Sequence, residues 1–383
     1  MAHELRGRAA IIGIGTTPGW ENPGMNSLDQ LAVAVSAACD DAGIAVSDID
    51  GLFAATLSEF FPKLSVAEYL GLRPAYMDGT NIGGSSFVGH LLPALMALDA
   101  GLCKVACICY GSDQRSQGAR LKSLSERMNW EADFEPRSPI SGYALATARH
   151  MHEFGTTREQ LAEVAVAARA WARLNPQAYV RDALYIEDVL ASRMVSDPLS
   201  LLDCCLVTDG GGALILVRAD RARDSRKPAV YVLGAASATT HRQISSMPDL
   251  TRTAAAASGA RAFSMSGLRP EDVDLLQLYD AFTINPILFL EDLGFCAKGE
   301  GGPFVSGGRI APGGALPVNT NGGGLSCCHP GMYGIFALIE AVTQLRGDAG
   351  DRQVAEPSIA LAHGNGGQLS SQVTALLGTV QTL

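Results

Sequence analysis

Gly43-Ile44-Ala45-Val46-Ser47-Asp48-Ile49-Asp50 and Gly267-Leu268-Arg269-Pro270-Glu271-Asp272-Val273-Asp274 carry one plan twice. In each, a helix-ending glycine precedes an apolar residue, a turn, and an acid–apolar–acid triplet ahead of a strand. Working outward, the first copy follows a β-type run, Ala9 to Ile14, and a helix predicted over Ser27 to Ala42, whose apolar residues recur at three and four and which Gly43 closes. A second pair keeps the same order. The apolar helix Phe87 to Ala100, ended by Gly101, precedes the buried-strand run Val105 to Tyr110, and the helix Gly334 to Leu345, ended by Gly347, precedes the strand Ile359 to Ala362. Two halves with one plan predict a pseudo-duplicated α/β protein.

Between the halves, from about Arg115 to Leu199, the text is helix-rich. It includes Ile140 to Phe154 and an amphipathic helix, Thr157 to Leu174, opened by a capping box at Thr157 and Gln160. The expected organisation is a first half over 1–114 with 200–224, a helical excursion over 115–199, and a second half over 225–383. Within the excursion, Arg169, Arg173 and Arg181 read either as phosphate holders or as a solvated helix face.

Composition narrows the function. The 383 residues are 47% hydrophobic and 18% charged, enough for a large core. A net charge of −10 without basic runs excludes a nucleic-acid footprint, although a few local cations and helix N-termini still suffice for an anionic thioester. The nine cysteines lack zinc spacing and read as buried reduced thiols, with no metal site. No apolar run reaches the roughly 18 residues of a membrane span, and no leader-like segment opens the chain, so a cytoplasmic protein is expected.

Three glycine-rich segments are suited to chemistry. Thr80-Asn81-Ile82-Gly83-Gly84-Ser85-Ser86-Phe87 runs into a buried helix, whose N–H groups can hold an oxyanion. Tyr279-Asp280-Ala281-Phe282 directly follows the strand Val273 to Leu278. Asn321-Gly322-Gly323-Gly324-Leu325-Ser326-Cys327-Cys328-His329-Pro330-Gly331-Met332-Tyr333-Gly334 leads into another apolar helix, with Tyr333 one turn beyond His329. A fourth stretch, His363-Gly364-Asn365-Gly366-Gly367, is read as the loop after a buried strand.

In this order the segments resemble the nucleophile loop, the Asn-Glu-Ala-Phe or His-Asp-Cys-Phe motif, the Gly-His-Pro segment and the closing loop of the thiolase superfamily. The resemblance is to its sterol-carrier-protein and lipid-transfer-protein branch and covers nearly the whole chain. It implies a thiolase-like fold, five-layered αβαβα, and a homodimer in which the N-terminal halves pair, a position to which the Cys-rich strand Cys103 to Tyr110 is suited. Gly84 stands where thiolases carry the nucleophilic cysteine, and Ala281 where the sterol-carrier group keeps a second one. The resemblance implies catalytic roles for Tyr279, His329, Tyr333 and His363, and substrate-binding roles for Gly84, Ser85, Ser86, Asp280, Asn321 and Gly366. Without either cysteine, the implied reaction on a coenzyme A thioester is retro-aldol cleavage of a β-hydroxyacyl-CoA, which needs a base and enolate donors but no covalent intermediate. A small OB-fold, zinc-containing acyl-CoA-binding protein is the implied partner. The alternatives are an acyltransferase or condensing enzyme using Ser85, Ser86 or Cys328, and a non-catalytic acyl-CoA or lipid carrier.

Overall fold

The computed structural model describes residues 2–118 and 129–383, so residues 119–128 of the excursion expected over 115–199 lie outside it. The strands are β1 (Ala9–Thr16), β2 (Gly51–Ala54), β3 (Tyr76–Asp78), β4 (Val105–Ser112), the short β5 (Met194–Ser196) and β6 (Leu199–Ser200), β7 (Gly210–Arg218), β8 (Val230–Thr239), β9 (Leu275–Leu278), β10 (Ile359–Gly366) and β11 (Ser371–Gly378). Among the described residues, nine of them form one sheet in the order β3-β2-β4-β7-β1-β8-β11-β10-β9. About its middle, β2-β4-β7-β1 is matched by β9-β10-β11-β8. In each half the first pair is parallel and the next antiparallel. Within the sheet the halves are joined through β1 and β8, at Ala10 opposite Tyr231 and Ile11 opposite Val230.

The duplicated sequence accounts for this symmetry locally. Gly43 and Gly267 both end their helices with φ of +72°, a conformation that costs glycine little. The Asp48 carboxylate accepts the Ala45 N–H at 2.9 Å and Asp272 accepts that of Arg269 at 2.8 Å, closing the same short turn. Asp50 then accepts from Lys104 and Val105 N–H, both at 2.8 Å, as Asp274 does from Ser358 and Ile359 at 2.8 and 2.9 Å. Each acid thereby fixes the start of the strand that pairs in parallel with its own.

The helices Ser86–Gly89, Leu91–Asp99 and Gly334–Arg346 touch strands of both halves, whereas Ser27–Ala42 and Ala255–Ser266 each pack on one half-sheet. That is the expected five-layered αβαβα arrangement. Three local readings are corrected. The helix read as Phe87 to Ala100 is broken at His90, because Pro93 has no N–H to give the Gly89 carbonyl. β10 continues to Gly366, so His363 lies inside a strand and not in the loop after it. β4 is interior, between β2 and β7, and the open edge of the N-terminal half is β3. Beside that edge Phe60, Phe61, Leu64 and Tyr69 are exposed.

In the excursion, the helix Arg158–Leu174 begins at Thr157, whose side chain accepts the Gln160 N–H. Arg169 is buried, not solvated. It donates to Ser326 Oγ at 2.8 Å and to the Asp182 carbonyl at 3.2 Å, fastening this helix to the glycine-rich segment before His329. No described helix is long and apolar enough to cross a membrane.

Candidate active site

A cavity of about 470 Å³ opens where the loops of both halves converge. Gly83 and Gly84 come from the loop ahead of the helix Ser86–Gly89, Tyr279 from the end of β9, and His329, Gly331 and Met332 from the loop before the helix Gly334–Arg346. Leu57, Ile82 and Phe282 supply apolar wall.

Tyr279 is held from three sides. Its N–H donates to the His363 carbonyl at 3.0 Å. Its hydroxyl lies 3.0 Å from His329 Nε2 and accepts the Tyr333 N–H at 3.2 Å, at the positive end of the helix Gly334–Arg346. The ring stands edge-on to those of His329 and Tyr333, at 84° and 89°. His329 is fixed through its main chain, its N–H donating to Thr208 Oγ1 at 3.0 Å and its carbonyl accepting the Thr208 N–H at 3.3 Å. Its Nδ1 has no partner among the described residues. Burial lowers the His329 pKa to about 4, so the ring is neutral at pH 7, while burial raises that of Tyr279. Because the hydroxyl already accepts the Tyr333 N–H, its own proton is placed on a bare Nε2, which leaves the ring proton on the unpartnered Nδ1.

The remaining candidates are placed elsewhere. Tyr333 is fully buried, and its hydroxyl donates to Asn321 Oδ1 at 3.0 Å, away from the cavity; the same oxygen accepts the Gly323 N–H. Asp280 points behind the wall, accepting the Gly324 N–H at 2.6 Å, and burial raises its pKa to about 7. Both ring nitrogens of His363 are occupied, Nδ1 by Thr374 at 3.0 Å and Nε2 by Gln372 at 2.9 Å, which corrects its grouping with Tyr279 and His329. Ser86 Oγ donates to the Gly83 carbonyl, and Ser85 Oγ meets the Ile82 carbonyl and Ser371 Oγ. Both serines are fully buried with no base in reach among the described residues, and burial holds the Cys328 thiol well above its usual pKa, so none of the three is activated there. Gly366 packs against the Ile82 carbonyl. A larger hollow of about 940 Å³ includes Asn321 but neither Tyr279 nor His329, and much of its charge is paired, Lys227 with Asp41 and Asp348, and Arg352 with Glu340.

Other cavity residues were not singled out from sequence as site residues. Tyr143, from the excursion helix Ile140–Phe154, donates to the Gly367 carbonyl at 3.0 Å and accepts from Asn365 Nδ2 at 2.7 Å. Cys205 reaches the wall beside Ala281, whose carbonyl accepts its N–H at 2.8 Å. His241 and Arg242 follow β8 at the rim. Of these, only Asn365 had a legible signal, since alternation along an extended β10 puts it on the face of His363.

Residues 236–379 match the family model described as thiolase C-terminal domain-like. Over 373 residues the chain is 37% identical to an acetyl-CoA acetyltransferase of Methanothermobacter thermautotrophicus, covering 94% of this chain and 96% of that one. Over 366 residues it is 35% identical to a steroid side-chain-cleaving aldolase of Thermomonospora curvata, covering 90% and 91%. The solved structure titled Ltp2-ChsH2(DUF35) aldolase superposes with a TM-score of 0.89 at 32% identity, over 98% of both chains.

Proposed function

The chain belongs to the thiolase family, and from that membership we propose that it is an acyl-CoA lyase, cleaving a β-hydroxyacyl-CoA by retro-aldol chemistry. The observation that carries this reading is the Tyr279–His329 pair facing a cavity in which Gly84 offers no nucleophile. The relatives include both an acetyltransferase and an aldolase, so identity alone does not choose between them. An acyl-enzyme needs an activated nucleophile; among the described residues Ser85 and Ser86 bond to carbonyls and no base, and burial raises the Cys328 pKa.

In the proposed reaction the β-hydroxyl donates to the remaining lone pair of Tyr279 Oη as the phenol proton passes to His329 Nε2. The Cα–Cβ bond breaks, its electrons moving into the thioester as an enolate while the β-carbon leaves as a carbonyl compound. The proton returns through Tyr279 to Cα, so acid and base balance within one turnover. A neutral His329 suits the first step, and the imidazolium it becomes lies in the cavity wall against the developing negative charge. Tyr333 and Asn321 serve as support and not as proton carriers.

We place the enzyme in the cytoplasm as a homodimer, supported by the unpaired edge of β3 and the exposed Phe60, Phe61 and Leu64 beside it. A small OB-fold, zinc-containing acyl-CoA-binding subunit is the proposed partner, supported by the two named components of the solved Ltp2-ChsH2(DUF35) aldolase. The test is to incubate the chain, alone and with such a partner, with a β-hydroxyacyl-CoA. Stoichiometric release of a shortened acyl-CoA and a carbonyl compound, without an acyl adduct on the protein by mass spectrometry, is expected. An acyl adduct that turns over, or robust acetoacetyl-CoA thiolysis, overturns the reading.

A further inference from the structure

Gly84 is glycine for a reason its backbone does not supply. Its neighbour Gly83 has φ of +76°, but Gly84 is not in the left-handed region, and any residue could adopt its conformation. What is missing is volume. A Cβ built on Gly84 would lie 2.3 Å from Tyr279 Cε2, 2.4 Å from its hydroxyl oxygen and 2.5 Å from Cζ, well inside van der Waals contact.

The loop cannot give way, and the ring can do so only by leaving its partners. The Gly84 carbonyl accepts the Gly334 N–H at 3.1 Å, and a Cβ on Gly83 would already meet the Gly367 nitrogen at 2.8 Å, so the loop is pinned on backbone. The Tyr279 ring is wedged between His329 and Tyr333, with its hydroxyl bonded to both residues. Packing this dense transmits an added atom as displacement.

We propose that Gly84 and Tyr279 share one exclusive seat beside His329: an empty position 84 admits the phenol, and a side chain at 84 expels it. The pair, and not either residue alone, thereby selects cleavage without a covalent intermediate over acyl transfer. Gly84 is a positioning residue. The steric half of the proposal stands by itself, whereas its consequence for turnover rests on the retro-aldol reading.

Two measurements test it. Gly84→Ala adds one methyl group, and kcat for β-hydroxyacyl-CoA cleavage is expected to fall about 100-fold, the usual worth of a positioned acid–base group, with KM and the far-ultraviolet spectrum little changed. In Gly84→Cys the introduced thiol competes with Tyr279, and in Gly84→Cys/Tyr279→Ala it has the seat alone. There its proton can pass to His329 Nε2 as sulfur bonds to a thioester carbonyl. The carbon–sulfur bond to CoA then breaks, and CoA leaves as its thiol when His329 returns the proton. With acetyl-CoA as probe and peptide mapping to separate the introduced thiol from the nine native cysteines, stoichiometric acetylation of the double variant is expected, at least about tenfold faster than in the single variant. Equal acetylation of the two, or no acetylation of a folded double variant, overturns the shared seat, as does full turnover by Gly84→Ala. If the unaltered protein cleaves no β-hydroxyacyl-CoA while the acetylation contrast holds, the retro-aldol reading fails and the shared seat stands.

Discussion

The glycine-rich loops of the two halves, Thr80 to Phe87 and Asn321 to Gly334, each run into a helix of the central layer, yet they present opposite surfaces. The first offers the cavity backbone, with Ser85 and Ser86 turned onto carbonyls. The second offers His329 and an N–H at a helix end. Their frameworks match closely, down to Asp50 and Asp274 each holding the neighbouring strand. The difference teaches that duplication preserved the scaffold while the reactive groups gathered on one side, with Tyr279 reaching across to fill the place the other loop leaves empty.

The comparison breaks first at Tyr279. Tyr279→Phe keeps the ring and removes the proton carrier, and kcat is expected to fall about 1,000-fold in a steady-state cleavage assay, the middle of the range for acid–base groups. A loss below tenfold would mean the reactive groups are not gathered as described. His329→Ala removes the acceptor but leaves the phenol anchored by the Tyr333 N–H, so a smaller loss of about 100-fold is expected in the same assay.

A pH profile sharpens the assignment. Because burial holds His329 near a pKa of about 4 in the folded protein, against 6.5 for the free ring, the acid limb of kcat/KM should fall near pH 4. His90 and His363 are lowered likewise, so the unfolded chain takes up protons from about pH 6.5 downward while the folded chain does not. Each histidine's contribution is therefore intact above that pH and is lost as pH falls toward 4, by about 1.4 kcal/mol per unit, offset in part by Asp280, whose raised pKa of about 7 lets the folded chain bind a proton first; urea titrations at pH 7 and 5 measure the net loss. A cleavage limb at pH 6.5 would move the proton acceptor elsewhere.

Smaller effects are expected away from the cavity. Tyr333→Phe removes one neutral hydrogen bond to Asn321, worth about 1 kcal/mol, and turnover should change no more than about fivefold. A loss as large as that of Tyr279→Phe would restore Tyr333 as the proton carrier. Asp50→Ala and Asp274→Ala each remove two bonds to strand N–H groups, and each should cost about 2–4 kcal/mol in urea unfolding with kcat unchanged. Unequal costs would show that the halves are not equivalent scaffolds.

Much of this protein was written locally. The helix Ser27–Ala42, the cap at Thr157, the closures at Gly43, Gly267 and Gly347, and the order shared by the halves all follow from periodicity and backbone preference over a few residues. So does the presence of Tyr279 and His329 next to strand and helix ends. The tertiary structure alone decided which candidates share the cavity. It drew Tyr333, Asn321, Asp280 and His363 into supporting bonds and brought Tyr143 in from the excursion. It also made Gly84 the counterpart of Tyr279. The reason is physical: a turn or cap is a bargain between neighbours in sequence, whereas the direction of a buried hydroxyl and the room for one Cβ depend on atoms from distant segments packed to crystal-like density.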